Sequence, residues 1–144
     1  MFNGCTALTT PPSVLHSSNG YRGHYIMFQN CTALTSVPEI RGTSVGQEDF
    51  AYMFQGCSSL SSADIELPAT SIDTYSYRAM FKDCTNLVVP PSVLPATTLA
   101  NCCYEDMFVN CKSLTATPVL PADRLAYGCY YNMFAGCTTL VEGP

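Results

Sequence analysis

Residues 102–111 read CCYEDMFVNC, and the fold turns on how this stretch is read. Counted from Cys103, the residues Tyr104, Met107, Phe108 and Cys111 follow at spacings of 1, 4, 5 and 8. That spacing puts them on one face of a helix. A helix of roughly two turns would melt alone, so tertiary packing has to hold it. The residue before the last cysteine is Asn110, a type that tolerates positive φ. The stretch therefore predicts a short helix with a left-handed terminus at position 110.

The same motif recurs along the chain. Met-Phe-x-x-Cys appears as MFNGC, MFQNC, MFQGC, MFKDC, MFVNC and MFAGC, starting at residues 1, 27, 53, 80, 107 and 133. The separations are 26 or 27 residues. The residue before each cysteine is Gly4, Asn30, Gly56, Asp83, Asn110 or Gly136. Three residues after each cysteine comes Leu8, Leu34, Leu60, Leu87, Leu114 or Leu140. A second apolar site follows at Leu15, Ile40, Leu67, Leu94 and Leu120. A fixed period of this length signals a stacked-repeat architecture.

Between the leucine and the second apolar site the residues are small or β-compatible, as in CTALTSVP and CKSLTATP. They predict a short extended segment paired in parallel with its neighbours and ended by Pro38, Pro90 or Pro118. Next comes a return leg, LPATSI, LPATTL or LPADRL, with Pro-Ala-Thr as its usual turn. The fold class expected from these parts is an α/β solenoid. It is a short right-handed array of about five coils, each a parallel strand plus a short helix. Residues 1–144 are expected to form one domain, a piece of a longer array or a unit that associates end to end.

This constellation resembles the BspA-like leucine-rich repeats, also described as the Treponema pallidum type. Their unit carries Ala-Phe-x-x-Cys-x-x-Leu, then a strand, then Ile-Pro and further apolar sites. Met107-Phe108 stands where that family has Ala-Phe, Cys111 and Leu114 match the cysteine and leucine, Leu120-Pro121 matches Ile-Pro, and Leu125 the next apolar site. The likeness covers essentially the whole chain. It departs in unit length, longer here, and in methionine for alanine. The resemblance implies a leucine-rich-repeat solenoid, and a cell-surface or extracellular adhesin-like role towards a host or microbial protein or glycan. It implies no shared catalytic residues.

Composition narrows the function classes. Hydrophobic residues make up 47% of the chain, which predicts a packed core. The net charge of -5 disfavours a nucleic-acid surface. No apolar run reaches membrane-spanning length, and MFNGCTALTT is not a secretory leader. Nine cysteines without Cys-x-x-Cys, and only His16 and His24 as partners, fit a ladder of core thiols better than a metal centre. Neither a metal nor a cofactor is expected. A disulfide among Cys102, Cys103 and Cys129 is left open.

No catalytic constellation stands out. Acidic pairs such as Glu105-Asp106 fall at scattered repeat positions, and Ser17 and Ser18 lie near His16 and His24 without an identifiable third member. Tyr77, Tyr104 and Tyr130 share an inward repeat position, with Phe50 as their equivalent. Tyr52, Tyr75, Tyr127 and Tyr131 lie off that position and are candidates for an exposed binding surface. Thr35, Ser61 and Thr115 form a second candidate strip on the strand segment. The expected function is a non-catalytic binding module for protein or carbohydrate. The alternatives are a structural spacer and a receptor-binding piece of a phage particle. Tyrosines gathered on one face favour the binding module; a surface without an aromatic cluster favours the spacer.

Overall fold

The computed structural model describes residues 1–141. Among them no α-helix forms, and the strands are short: β1 Val14–His16, β2 Glu39–Arg41, β3 Ser44–Val45 and β4 Ser71–Ile72. β1 pairs in parallel with β2, with Leu15 opposite Ile40. β3 pairs in parallel with β4, with Val45 opposite Ile72. Single parallel bridges join Ser62 to Val89, Ser71 to Thr98 and Val93 to Val119. The expected α/β solenoid of leucine-rich-repeat type, with a helix in each coil, is therefore corrected. With it goes the leucine-rich-repeat description, and nothing in the structure carries the adhesion or extracellular assignment attached to it.

The physical reason lies in the stretch that suggested the helix. In a helix every N–H would reach the carbonyl four residues back. Around the fourth Met-Phe motif the Met80 N–H donates to Tyr77 O (3.2 Å), Lys82 N–H to Ala79 O (3.2 Å) and Cys84 N–H to Phe81 O (3.1 Å). Each bond closes a four-residue β-turn. The alternate N–H groups leave the repeat altogether: Tyr77, Ala79, Phe81 and Asp83 donate to Cys103, Glu105, Met107 and Val109 at 2.8–3.0 Å.

Positive φ makes this alternation work. It recurs every fourth residue, at Tyr75, Ala79 and Asp83, at Glu48, Tyr52 and Gly56, and at Cys102, Asp106 and Asn110. Ala79 and Asp83 are the third residues of the turns 77–80 and 81–84, where a type II turn requires it. A four-residue turn unit repeats its inward side chain every four residues. A helix nearly does the same, so apolar spacing alone cannot separate them. The pre-cysteine residues do take positive φ, from 58° at Asn30 to 77° at Gly136, but they close a turn and no helix.

The repeats lie on one another in register, and identical side chains form columns through the core. Phe2, Phe28, Phe54, Phe81, Phe108 and Phe134 stack with centroids 5.4–5.7 Å apart and rings within 8° of parallel. A second column runs His24, Phe50, Tyr77, Tyr104, Tyr130, at 4.9–5.8 Å. Offset ring pairs of this kind add about 0.5–1.5 kcal/mol each beyond their area burial.

The cysteines have a defined task. Cys57 donates its thiol to Phe28 O (3.2 Å), Cys84 to Phe54 O (3.1 Å) and Cys111 to Phe81 O (3.2 Å). The Phe54 carbonyl thus accepts twice, from the Cys57 N–H and from the Cys84 thiol. Meanwhile the Phe54 N–H donates to Met80 O (2.9 Å). This explains the recurrence of Met-Phe-x-x-Cys. The methionine side chain fills the core, fully buried at Met53, Met80 and Met107, the phenylalanine stacks, and the small thiol satisfies the second lone pair of the phenylalanine one repeat before. All nine cysteines are free, including Cys102, Cys103 and Cys129.

Candidate binding surface

The turn segments carry the core columns inward and leave other positions facing out. Tyr75, Cys102 and Gly128 occupy one repeat position, and Arg78, Glu105 and Tyr131 occupy another. Together with Tyr127 these side chains line a cavity of about 550 Å³. Tyr127 is 83% exposed and Tyr131 62%, both in the last described repeat. Gly128 lines the cavity beside Cys102. Its φ is +62°, and a Cβ there would meet the Cys102 sulfur at 2.9 Å.

Arginines organise the rest of this face. The Arg78 guanidinium lies 5.0 Å from the Tyr75 ring centroid and 5.8 Å from that of Tyr52. It donates to Glu105 Oε1 at 3.2 Å. Two repeats away, Arg22 lies over Tyr21 (4.7 Å) and Tyr25 (4.5 Å) and bonds Glu48 Oε2 at 2.7 Å. Tyr25 meets Tyr52 edge to face at 5.9 Å. A strip of tyrosines with embedded arginines thus runs across the turn segments. Such contacts contribute about 0.5–1 kcal/mol each at exposed sites.

Of the sequence-predicted residues, Tyr75, Tyr127 and Tyr131 meet at the cavity, and Tyr52 joins them through Arg78. Thr35, Ser61 and Thr115 do not. They are exposed on backbone outside the four strands, where the Thr35 hydroxyl donates to Thr9 O (3.2 Å) and that of Thr115 to Val88 O (3.3 Å). The Ser61 carbonyl accepts from the Val88 N–H. These groups belong to the inter-repeat ladder. Reading single residue types missed Arg78, Glu105, Cys102 and Gly128. Writing the repeats in register would have grouped all four, because Arg78 and Glu105 lie 27 residues apart, as do Tyr75 and Cys102, with Gly128 26 residues further on.

The buried thiols are disarmed. Burial, and then the hydrogen bond with Glu105, push the Cys102 thiol above its ordinary value. Burial raises Cys57 and Cys103 to about 12. A thiol held protonated is a poor nucleophile and a poor metal ligand. Among the described residues no group of three His, Cys, Asp or Glu side chains gathers as a metal site.

One polar pair was not legible in the sequence. Asp49, fully buried, faces His24 Nδ1 at 2.9 Å and accepts the main-chain N–H groups of His24 (3.0 Å) and Ser18 (2.8 Å). The Ser18 hydroxyl has no partner on the imidazole or elsewhere among the described residues. The pair pins the 18–24 loop to the next repeat and lacks the bonded nucleophile that a triad needs. Among the described residues no helix is long and apolar enough to cross a membrane.

Comparison with family models, with characterised proteins and with solved structures finds no match to this chain. The likeness to the BspA-like repeats rests on the residue pattern alone.

Proposed function

We propose that this chain is a non-catalytic recognition module that takes a protein or a carbohydrate on its tyrosine–arginine face. One observation carries the reading: Tyr75, Tyr127 and Tyr131 converge on a single cavity, with Tyr52 joined to them through Arg78. Tyrosine and arginine are the side chains that concentrate binding energy, because each offers a large rigid contact with a polar handle. The cavity volume falls within the roughly 300–1,000 Å³ of small-ligand sites. The protonated buried thiols and the Arg78–Glu105 ion pair support binding without chemistry.

The test uses the whole chain and a variant with Tyr52, Tyr75, Tyr127 and Tyr131 changed to Ser. Both are applied to arrays of proteins and glycans, after circular dichroism has matched their folds. Saturable binding by the parent that the variant loses supports the proposal. Binding retained in the variant, or none by either protein, overturns it.

A further inference from the structure

We infer that the cavity between Tyr75, Tyr127 and Tyr131 is a subsite for a neutral saccharide. This rests on the recognition-module reading and names its ligand class. Three features of the cavity select the chemistry.

The first is charge. The lining carries one cation, Arg78, and one anion, Glu105, already joined by a hydrogen bond. They cancel, so the site holds no net charge with which to select an ion. A phosphate or carboxylate ligand would gain Arg78 and meet Glu105 in the same space.

The second is the mixture of donors and acceptors. The Arg78–Glu105 contact is a single bond at 3.2 Å, not a closed bidentate pair. It leaves the terminal guanidinium N–H groups, though not the buried Nε–H, for other partners, beside a Glu105 carboxylate that also takes the Cys102 thiol. Fixed donors beside fixed acceptors suit groups that do both at once, and a sugar hydroxyl is such a group. The phenols of Tyr75, Tyr127 and Tyr131 add the same dual capacity.

The third is the exposed ring faces. Tyr127 and Tyr131 stand largely free of the protein at the cavity edge. An aromatic face is electron-rich. The ring C–H groups of a pyranose, polarised by their oxygens, are its electrostatic complement. A purely apolar ligand would use the faces and strand the polar floor, and an ion would use the floor and ignore the faces. A neutral sugar uses both.

The experiment is calorimetric titration of the full chain with neutral oligosaccharides: lactose, N-acetyllactosamine, maltotriose, cellotriose and mannotriose. Sialyllactose and a heparin-derived tetrasaccharide serve as charged contrasts. Tyr131→Ala and Glu105→Gln are run alongside, with circular dichroism to show that they fold. The expected result is saturable binding of at least one neutral sugar, with affinity changing less than twofold between 50 and 500 mM salt (about 14 to 4 Å of screening length). Each variant should weaken it about tenfold or more.

Binding only to the charged sugars, with strong salt dependence, overturns the neutral-sugar assignment, as does neutral binding that both variants retain. The protein half of the arrays separates the two levels of inference. A protein ligand lost in the tyrosine variant, with no sugar bound, removes the saccharide subsite and leaves the recognition module. No ligand on either half removes both.

Discussion

Replacing Asp106 by Gly and, separately, by Ala measures the backbone of the disputed stretch. Asp106 sits in the middle of residues 102–111 with φ of 58°. Both substitutions remove the carboxylate and its contact with Lys82 (3.3 Å), so that loss cancels when the variants are compared. What remains is the difference between Gly and Ala at one backbone position. In the left-handed region a Cβ costs about 1–2 kcal/mol, and the greater freedom of Gly in the unfolded chain returns about 0.5–1 kcal/mol of this. The turn ladder therefore puts Asp106→Gly ahead of Asp106→Ala by about 0.5–1 kcal/mol. A helix interior reverses the sign, with Ala ahead by about 0.8–1 kcal/mol. Urea unfolding followed by tyrosine fluorescence suffices, since the chain has no tryptophan. With m near 2 kcal/mol/M, the two midpoints should differ by about 0.3–0.5 M. An Ala variant more stable than the Gly variant would refute the turn ladder.

Other expectations follow from the core columns. Cys84→Ala removes a buried thiol and its bond to Phe54 O, and should cost about 1–3 kcal/mol by denaturant titration, with Cys84→Ser recovering part of it. Stability should fall in alkali. The thiols of Cys57 and Cys103 are raised to about 12 in the fold, against about 8.5 for a free thiol. Between these values the unfolded chain has lost protons that the folded chain keeps. The contribution is intact below about pH 8 and declines by about 1.4 kcal/mol per pH unit per thiol towards pH 12. Thermal melts between pH 7 and 11 read this directly, and a flat profile would contradict it. In native protein Cys5, which is exposed, should react first with a soluble disulfide reagent, Cys137 more slowly, and the buried thiols only on unfolding.

The sequence showed the period, the columns and their contents. Phe54, Phe81 and Phe108 recur at fixed spacing because each must lie under the next, and so do Cys57, Cys84 and Cys111. It also marked Gly56, Asp83 and Asn110 as positive-φ sites, since those side chains tolerate that region. It hid the others. Ile26, Tyr52 and Ala79 take φ of 51–57° with no residue type to announce it, and a β-branched Ile there argues against it. Tertiary hydrogen bonding overrides local preference: the Ile26 N–H reaches Ala51 O, the Tyr52 N–H Arg78 O and the Ala79 N–H Glu105 O. The tyrosines of the candidate surface were visible as residues off the core column. Their meeting place was not, because it depends on Gly128 leaving space beside Cys102 and on Arg78 lying against two rings.

The most direct measurement is NMR detection of scalar coupling through hydrogen bonds in labelled protein. If the repeats are joined by their turn segments, the Phe54 amide nitrogen couples to the Met80 carbonyl carbon, and Phe81 couples to Met107. Coupling of Phe54 to the carbonyl of Phe50, four residues back in its own repeat, would restore the helix and contradict the turn ladder on which the tyrosine face is built.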